Sequence, residues 1–223
     1  NPIQTQIFHT VYHSDDNVLV GAPTGSGKTV TAELAVLRLA RAHPGYKAVY
    51  IAPLKALVRE RIHDWRAKFV SKLGFSLQEL TGDVAPDSAA LARADILCTT
   101  PEKWDGVSRH WQQRGYVRKV GLVIIDEIHL LGEERGPILE VIVSRMRYIA
   151  TQTQTHIRIV GLSTAMANAG DLAEWLGIPD DSLFNFKPSV RPIPMEVHIS
   201  GYPGKHSCPR MAAMNKPTYR TIL

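Results

Sequence analysis

The stretch Asn17–Thr29, NVLVGAPTGSGKT, decides the fold. Val18, Leu19 and Val20 make a short apolar run that stops at turn residues, and the pattern that follows, GKTVTAELAVLRLARAH, is helical. A strand that turns through glycines straight into a helix start has the physics of a phosphate-binding loop. Glycines let successive backbone N–H groups turn inward. The first helical turn leaves its N–H groups without intrahelical partners and carries partial positive charge. On this reading Ala22, Pro23, Thr24, Gly25, Ser26, Gly27, Lys28 and Thr29 hold the phosphates of ATP. Lys28 reaches the β and γ phosphates, and Thr29 is a ligand of Mg2+. Ala22 departs from the glycine usual at the first position. An ordinary glycine-rich turn is the bland alternative, and the full GSGKT string after an apolar run weighs against it.

Working outward, strand and helix patterns alternate. PIQTQIFHTVYH has Ile3, Ile7 and Val11 at four-residue spacing and predicts a helix. KAVYIAP, FSLQELTGD, ADILCTTP, VGLVIIDE and HIRIVGLST predict strands. LKALVRERIHDWRAKFVSKL, SAALARA, EKWDGVSRHW, PILEVIVSRMRYIATQ and NAGDLAEWLGI predict helices between or after them. Apolar strands alternating with helices predict an α/β fold, a parallel sheet with helices on both faces. Such sheets bind ligands at the carboxyl ends of their strands. The polar clusters GAPTGSGKT, APLKA, LTGD, TTPEK, IIDEIH and LSTA all fall there.

The 223-residue chain is 44% hydrophobic, enough for a sizeable core, and no low-complexity tract points to disorder. Its net charge of +5 is compatible with a polyanionic partner without demanding one. The two cysteines, Cys98 and Cys208, lie far apart, which argues against a zinc site or a disulfide framework and suits a reducing compartment. No segment is apolar enough over sufficient length to span a membrane. Nucleus or cytoplasm, or both, is the expected location.

In GLVIIDEIHLLGEERG, residues 121–136, two acids end a buried run. Charge there is costly unless something requires it. Beside a phosphate loop, Asp126 serves Mg2+ through its water shell and Glu127 positions the attacking water, so both join Lys28 as catalytic residues. A capping acid pair is the alternative. His129 is open on chemistry alone: a satisfied structural group, or a bond to Ser163 and Thr164 at the end of HIRIVGLST. Trp65, Trp104 and Trp111 read as packing residues, and Arg59 and Arg61 as a solvated helix face.

APTGSGKT, PLKAL, LTGD, TTPEKWD, DEIH and STA occur in an order and spacing that resembles the first RecA-like domain of superfamily-two helicases. DEIH, TTPEKWD and PLKALVRER are most similar to the Ski-like branch. FKPSVRPIPMEVHISGYPG and CPRMAAMNKP resemble its large tandem-cassette members, and NPIQTQIFHTVYH and DEIHLLGEERGP look like the second cassette of such a tandem. The resemblance implies that Gln4 recognises adenine, although by itself Gln4 is a polar residue on an amphipathic helix. It implies that His129, Ser163 and Thr164 couple ATP hydrolysis to strand movement. It implies nucleic-acid contacts at Pro53, Leu54, Lys55, Thr81, Gly82, Thr100, Pro101, Glu102 and Lys103. Small hydroxyls, backbone N–H groups and helix starts bind phosphates without reading bases, and Lys55 and Lys103 add salt-sensitive charge.

The resemblance also implies a 3′–5′ helicase acting on a single strand of RNA or DNA, within a large multi-subunit complex. A helicase hydrolyses ATP between two such lobes, and the QxxGRxxR motif of the second is absent here. The expected division is a RecA-like P-loop NTPase domain over 1–186, then a Pro/Gly-rich linker and the start of a second RecA-like domain over 187–223. Alone, the chain is expected to bind ATP weakly, hydrolyse it slowly and unwind nothing. The rival reading is a nucleotide-binding scaffold cassette with little or no catalytic activity.

Overall fold

A computed structural model describes residues 1–132 and 136–222. Glu133, Glu134 and Arg135, part of the DEIHLLGEERGP segment, lie outside the described residues, as does Leu223. The elements run α1 (Pro2–His13), β1 (Val18–Gly21), α2 (Thr29–Ala42), β2 (Lys47–Ile51) and α3 (Lys55–Trp65). A π-helical turn, Arg66–Val70, carries α3 into the short α4 (Ser71–Leu73). Then follow β3 (Leu77–Leu80), α5 (Ser88–Arg93), β4 (Ile96–Thr99), α6 (Pro101–Ser108), α7 (Gly115–Arg118) and β5 (Val120–Ile125). After a 3-10 turn at Ile128–Gly132 come α8 (Gly136–Thr153), β6 (Arg158–Ser163), α9 (Ala169–Leu176) and β7 (Leu183–Asn185).

The seven strands form one sheet, ordered β3-β4-β2-β5-β6-β1-β7, and every recorded pairing is parallel. Parallel neighbours need crossover helices, and these cover both faces. Alternation along β1 shows how: Val18 and Val20 join a core with Ile3, Ile7 and Val11 of α1 and Ala32, Ala35 and Val36 of α2. Leu19, between them, joins the opposite core with Trp104 of α6, Ile142 and Met146 of α8 and Ala173 and Leu176 of α9. The sheet is therefore closed by apolar packing on both sides within one unit, Asn1–Pro192. The α/β architecture is the expected one. Trp65 and Trp104 are fully buried, as their contexts implied, and Cys98 is a buried thiol.

A second unit comprises Ile193–Leu223 and contains α10 (Ser207–Ile222). From sequence, a helix is expected to start near Asn215, and it begins at Ser207 instead. Pro209 sits in its first turn, where a missing N–H costs nothing. Pro217 lies inside the helix and is accommodated there. Two further elements lack a sequence signal: α7, only four residues long, and β7, a three-residue edge strand.

Candidate functional site

All the polar clusters lie at the carboxyl edge of the sheet, because every strand points the same way. The strand order splits that edge. The P-loop after β1, Ser163 and Thr164 after β6, and Asp126 and Glu127 after β5 stand side by side. Pro53–Lys55 after β2, Thr100–Lys103 after β4, and Thr81 and Gly82 after β3 take the other half. With neighbouring strands about 4.8 Å apart, β1 and β5 stand about 10 Å apart across β6, which leaves room for a phosphate between loop and acids.

Gly25 and Gly27 adopt φ of 77° and 95°, a region that side chains with a β-carbon rarely enter. These angles turn the loop so that it closes over the start of α2. Lys28 Nζ donates to the Ala22 carbonyl at 2.5 Å. Burial pulls its pKa down, while the charges of Glu127 and Asp126 push it up. Lys28 is thus a cation held in a partly dry cleft with two carboxylates nearby. The cleft is about 380 Å³ and is lined by the loop, Thr29, Tyr50, Arg61, Asp126 and Glu127. Asn1 and Gln4 of α1 sit against the loop: Asn1 Nδ2 donates to the Ser26 carbonyl at 2.7 Å. Gln4 Nε2 lies 2.7 Å from where a β-carbon on Gly27 would stand. Helix α1 and the phosphate loop, 20-odd residues apart in sequence, are therefore one structural piece.

Several observations bear on whether ATP and Mg2+ fit. The Ser26 hydroxyl is buried in the loop with no hydrogen-bond partner. Thr29 and Asp126 offer the oxygen ligands that a hard divalent cation prefers. Among the described residues no cluster of three His, Cys, Asp or Glu side chains could hold an ion alone. That donor set suits a cation completed by phosphate oxygens and water, the usual habit of Mg2+.

Asp126 is held at both oxygens. Tyr50 donates its phenolic hydrogen to Oδ2, and the Glu127 backbone N–H donates to Oδ1 at 3.0 Å. Glu127 itself has φ of 55°, a left-handed backbone that costs about 1–2 kcal/mol in a residue with a β-carbon. Its own N–H bond to Asp126 helps hold it. His129 Nδ1 lies 3.3 Å from Ser163 Oγ and 3.4 Å from Glu127 Oε2. The imidazole therefore stands between the acid of β5 and the hydroxyl of β6, the bond anticipated from sequence. Ser163 also accepts, through its carbonyl, from the Ala22 N–H at 3.0 Å. Thr164 is half-exposed beside it.

Sequence reasoning missed Asn185. Its amide donates to the Met166 carbonyl at 2.7 Å and accepts from the Met166 N–H at 3.2 Å. It thereby pins the loop after Ser163–Thr164 to β7. No local pattern marks a single Asn on a three-residue strand. Arg191 was missed as well: its guanidinium comes within 3.9 Å of the β-carbon position of Gly25.

The other half of the edge is less simple. Leu54 and Lys55 are exposed at the start of α3, but Lys55 Nζ pairs with Asp83 at 2.7 Å. Gly82 is exposed beside Lys55, and Glu102 is exposed with Lys103 half-buried at the start of α6. Pro53 and Pro101 are buried. Thr81 is fully buried, with its hydroxyl donating to Glu79 at 2.8 Å, and Thr100 is 5% exposed at the start of α6. Side-chain hydroxyl contacts from these threonines are not presented to solvent. Of the two arginines expected on a solvated face, Arg59 is solvated and Arg61 is not. Arg59 is exposed but paired with Asp83 and Glu79. Arg61, 15% exposed in its side chain, packs over Tyr50 and Trp65 and lines the cleft, because α3 is buried along that side.

Comparison with known proteins agrees with this geometry. The profile of "DEAD/DEAH box helicase" matches residues 1–172. The chain is 67% identical over 222 residues to "Activating signal cointegrator 1 complex subunit 3" of Gallus gallus and 66% identical to its Homo sapiens counterpart. It is 68% identical to "DExH-box ATP-dependent RNA helicase DExH14" of Arabidopsis thaliana. In each case the match covers 100% of this chain and 10% of the relative, so the chain spans about a tenth of their length. Among solved structures, the "DUF1998 helicase MrfA" superposes with a TM-score of 0.68 over 83% of this chain and 30% of that one, at 21% identity, a likeness of fold. With the family profile covering well over half of the chain and its motifs gathered on one sheet edge, the chain belongs to the DEAD/DEAH box helicases.

Proposed function

We propose that residues 1–186 form the ATP-binding and ATP-hydrolysing lobe of a nucleic-acid helicase. The observation that carries this reading is the cleft where Lys28, Thr29, Asp126 and Glu127 meet, with His129 bridging Glu127 and Ser163 at its rim. In this reading the loop N–H groups and Lys28 hold the β and γ phosphates, and Gln4 meets the base. Thr29 and Asp126 would hold Mg2+ together with the substrate, and the ion would supply positive charge against the phosphates. Glu127 orients the attacking water. His129 transmits the state of Glu127 to the Ser163–Thr164 strand end, and so to nucleic acid.

The segments Pro53–Lys55, Thr81–Gly82 and Thr100–Lys103 meet the strand backbone. The buried threonines favour contact through backbone N–H groups at the starts of α3 and α6. A second lobe, with arginines that stabilise charge on the transferred phosphoryl group, completes the site. Residues 187–223 lead into it, and without it this chain binds ATP weakly and unwinds nothing. The protein works on single-stranded RNA or DNA in the 3′–5′ sense as part of a multi-subunit complex in nucleus or cytoplasm. The N-terminal and DEIH segments support a place in the second cassette of a tandem related to the spliceosomal U5 helicase.

The test is nucleic-acid-stimulated ATP hydrolysis by the full cassette. Glu127→Gln is expected to lower kcat by about 10²–10⁴ while leaving ATP binding in place. Equal rates for wild type and variant would sink the hydrolytic reading and leave a nucleotide-binding scaffold.

A further inference from the structure

Tyr50 ends its side chain on Asp126, and nothing in the function just described uses it. The ring is 1% exposed and locked by the edge of Trp65, with ring centres 5.2 Å apart at 63°. Arg61 of α3 lies over the same ring, 5.6 Å from its centre, and its Nε donates to the Tyr50 oxygen at 3.4 Å. The hydroxyl in turn donates to Asp126 Oδ2. With the Glu127 N–H on Oδ1, the carboxylate has one fixed donor on each oxygen. A carboxylate has about four lone-pair sites, so each oxygen keeps one for a cation's water shell.

We propose that Tyr50, steadied by Arg61, is a positioning residue that fixes the Asp126 carboxylate for the nucleotide-bound divalent cation. The proposal rests on reading Asp126 as the acid that serves Mg2+. A buried hydroxyl needs some acceptor, so the contact alone would also fit a purely structural role. The difference lies in what the cation feels. A structural bond changes stability and leaves the cation's contribution to nucleotide affinity alone. An orienting bond changes that contribution.

The experiment titrates a fluorescent ATP analogue against the 1–223 chain, whose first unit closes its own core, in excess Mg2+ and again in EDTA. The readout is the ratio of the two affinities, with a thermal melt for each variant. Tyr50→Phe keeps the ring and its contact with Trp65. It is expected to leave the EDTA affinity unchanged and to cut the Mg2+ enhancement by about 10-fold or more, the usual effect of losing an outer-sphere partner of a metal ligand. Arg61→Met is expected to cut it in the same sense by a smaller factor, and it decides the question if Tyr50→Phe fails to fold. Asp126→Asn is the control and should abolish the enhancement. If Asp126→Asn loses the enhancement while Tyr50→Phe and Arg61→Met keep it, the positioning role is overturned. The same holds if those variants lower both affinities equally. If Asp126→Asn itself keeps the wild-type enhancement, the assignment of Asp126 fails, and the proposal fails with it.

Discussion

Replacing Arg158 with leucine should loosen the helix that carries Gln4. Arg158 opens β6 and is 4% exposed. Its guanidinium donates to the carbonyls of Asp16 at 2.7 Å, Val11 at 2.9 Å and Thr10 at 3.2 Å. Two of these are last-turn carbonyls of α1, which lack backbone N–H partners within the helix, and that of Thr10 also accepts from the Ser14 hydroxyl at 2.9 Å. A cation there also meets the negative end of the helix dipole. Three hydrogen bonds to a charged donor are worth about 1.5–3 kcal/mol each. Against them stands the cost of burying the guanidinium, seen in its pKa being pulled down to about 10, which corresponds to about 3 kcal/mol. The bonds win by about 3 kcal/mol, because leucine removes the burial cost but leaves backbone carbonyls that cannot be deleted. For a unit of this size that lowers Tm by about 6–12 °C. Arg158→Lys keeps one charge and loses the fork, so it should fall between wild type and Arg158→Leu. Differential scanning calorimetry of the three proteins gives the answer. A Tm loss under about 2 °C for Arg158→Leu, or a lysine variant as weak as leucine, would refute the reasoning.

Three further outcomes follow from the site. Gly27→Ala places a β-carbon 2.7 Å from Gln4 Nε2 at φ of 95°, so nucleotide affinity should fall about 10-fold for about 1–2 kcal/mol of backbone strain, read by analogue titration. An unchanged affinity would show that the loop does not need glycine there. His129→Ala in the full cassette should reduce unwinding much more than ATP hydrolysis. A proportional fall in both would make the imidazole part of the ATP site alone. Asp15 is held well below the usual carboxylate range by the paired Arg38 guanidinium, with His43 helping, despite its partial burial. Its folded pKa lies below the unfolded value, so its contribution is complete above about pH 4 and is lost as pH falls further. Melting curves of Asp15→Asn should therefore match wild type more closely at acid pH than at neutral pH, and a constant gap would contradict this.

The glycine-rich loop between β1 and α2, the acid pair after β5 and the alternation of strands and helices were legible in the sequence because each is a local pattern. GSGKT needs only its own glycines and the helix start behind it. Ile3, Ile7 and Val11 declare a buried face by spacing alone, and all three are buried. The strand-end clusters could be placed on one edge without coordinates, because a sheet wound by crossover helices is parallel. The link from His129 to Ser163 was legible only as a possibility, since it depends on β5 and β6 being neighbours.

What the tertiary structure decided are the contacts that join distant residues. Arg61 looks like a surface arginine on a polar helix until Tyr50 and Trp65 are found beneath it. Thr81 and Thr100 sit in polar turn sequences, yet packing buries both hydroxyl-bearing residues. Arg158 reads as one charge in an apolar strand, and only the fold supplies the three carbonyls that justify its burial. Asn185 and Tyr50 carry no motif at all. The physical reason is the same in each case: a motif encodes the chemistry that neighbours in sequence can perform together. The partner of a buried polar group is set by strand order, which no single segment contains.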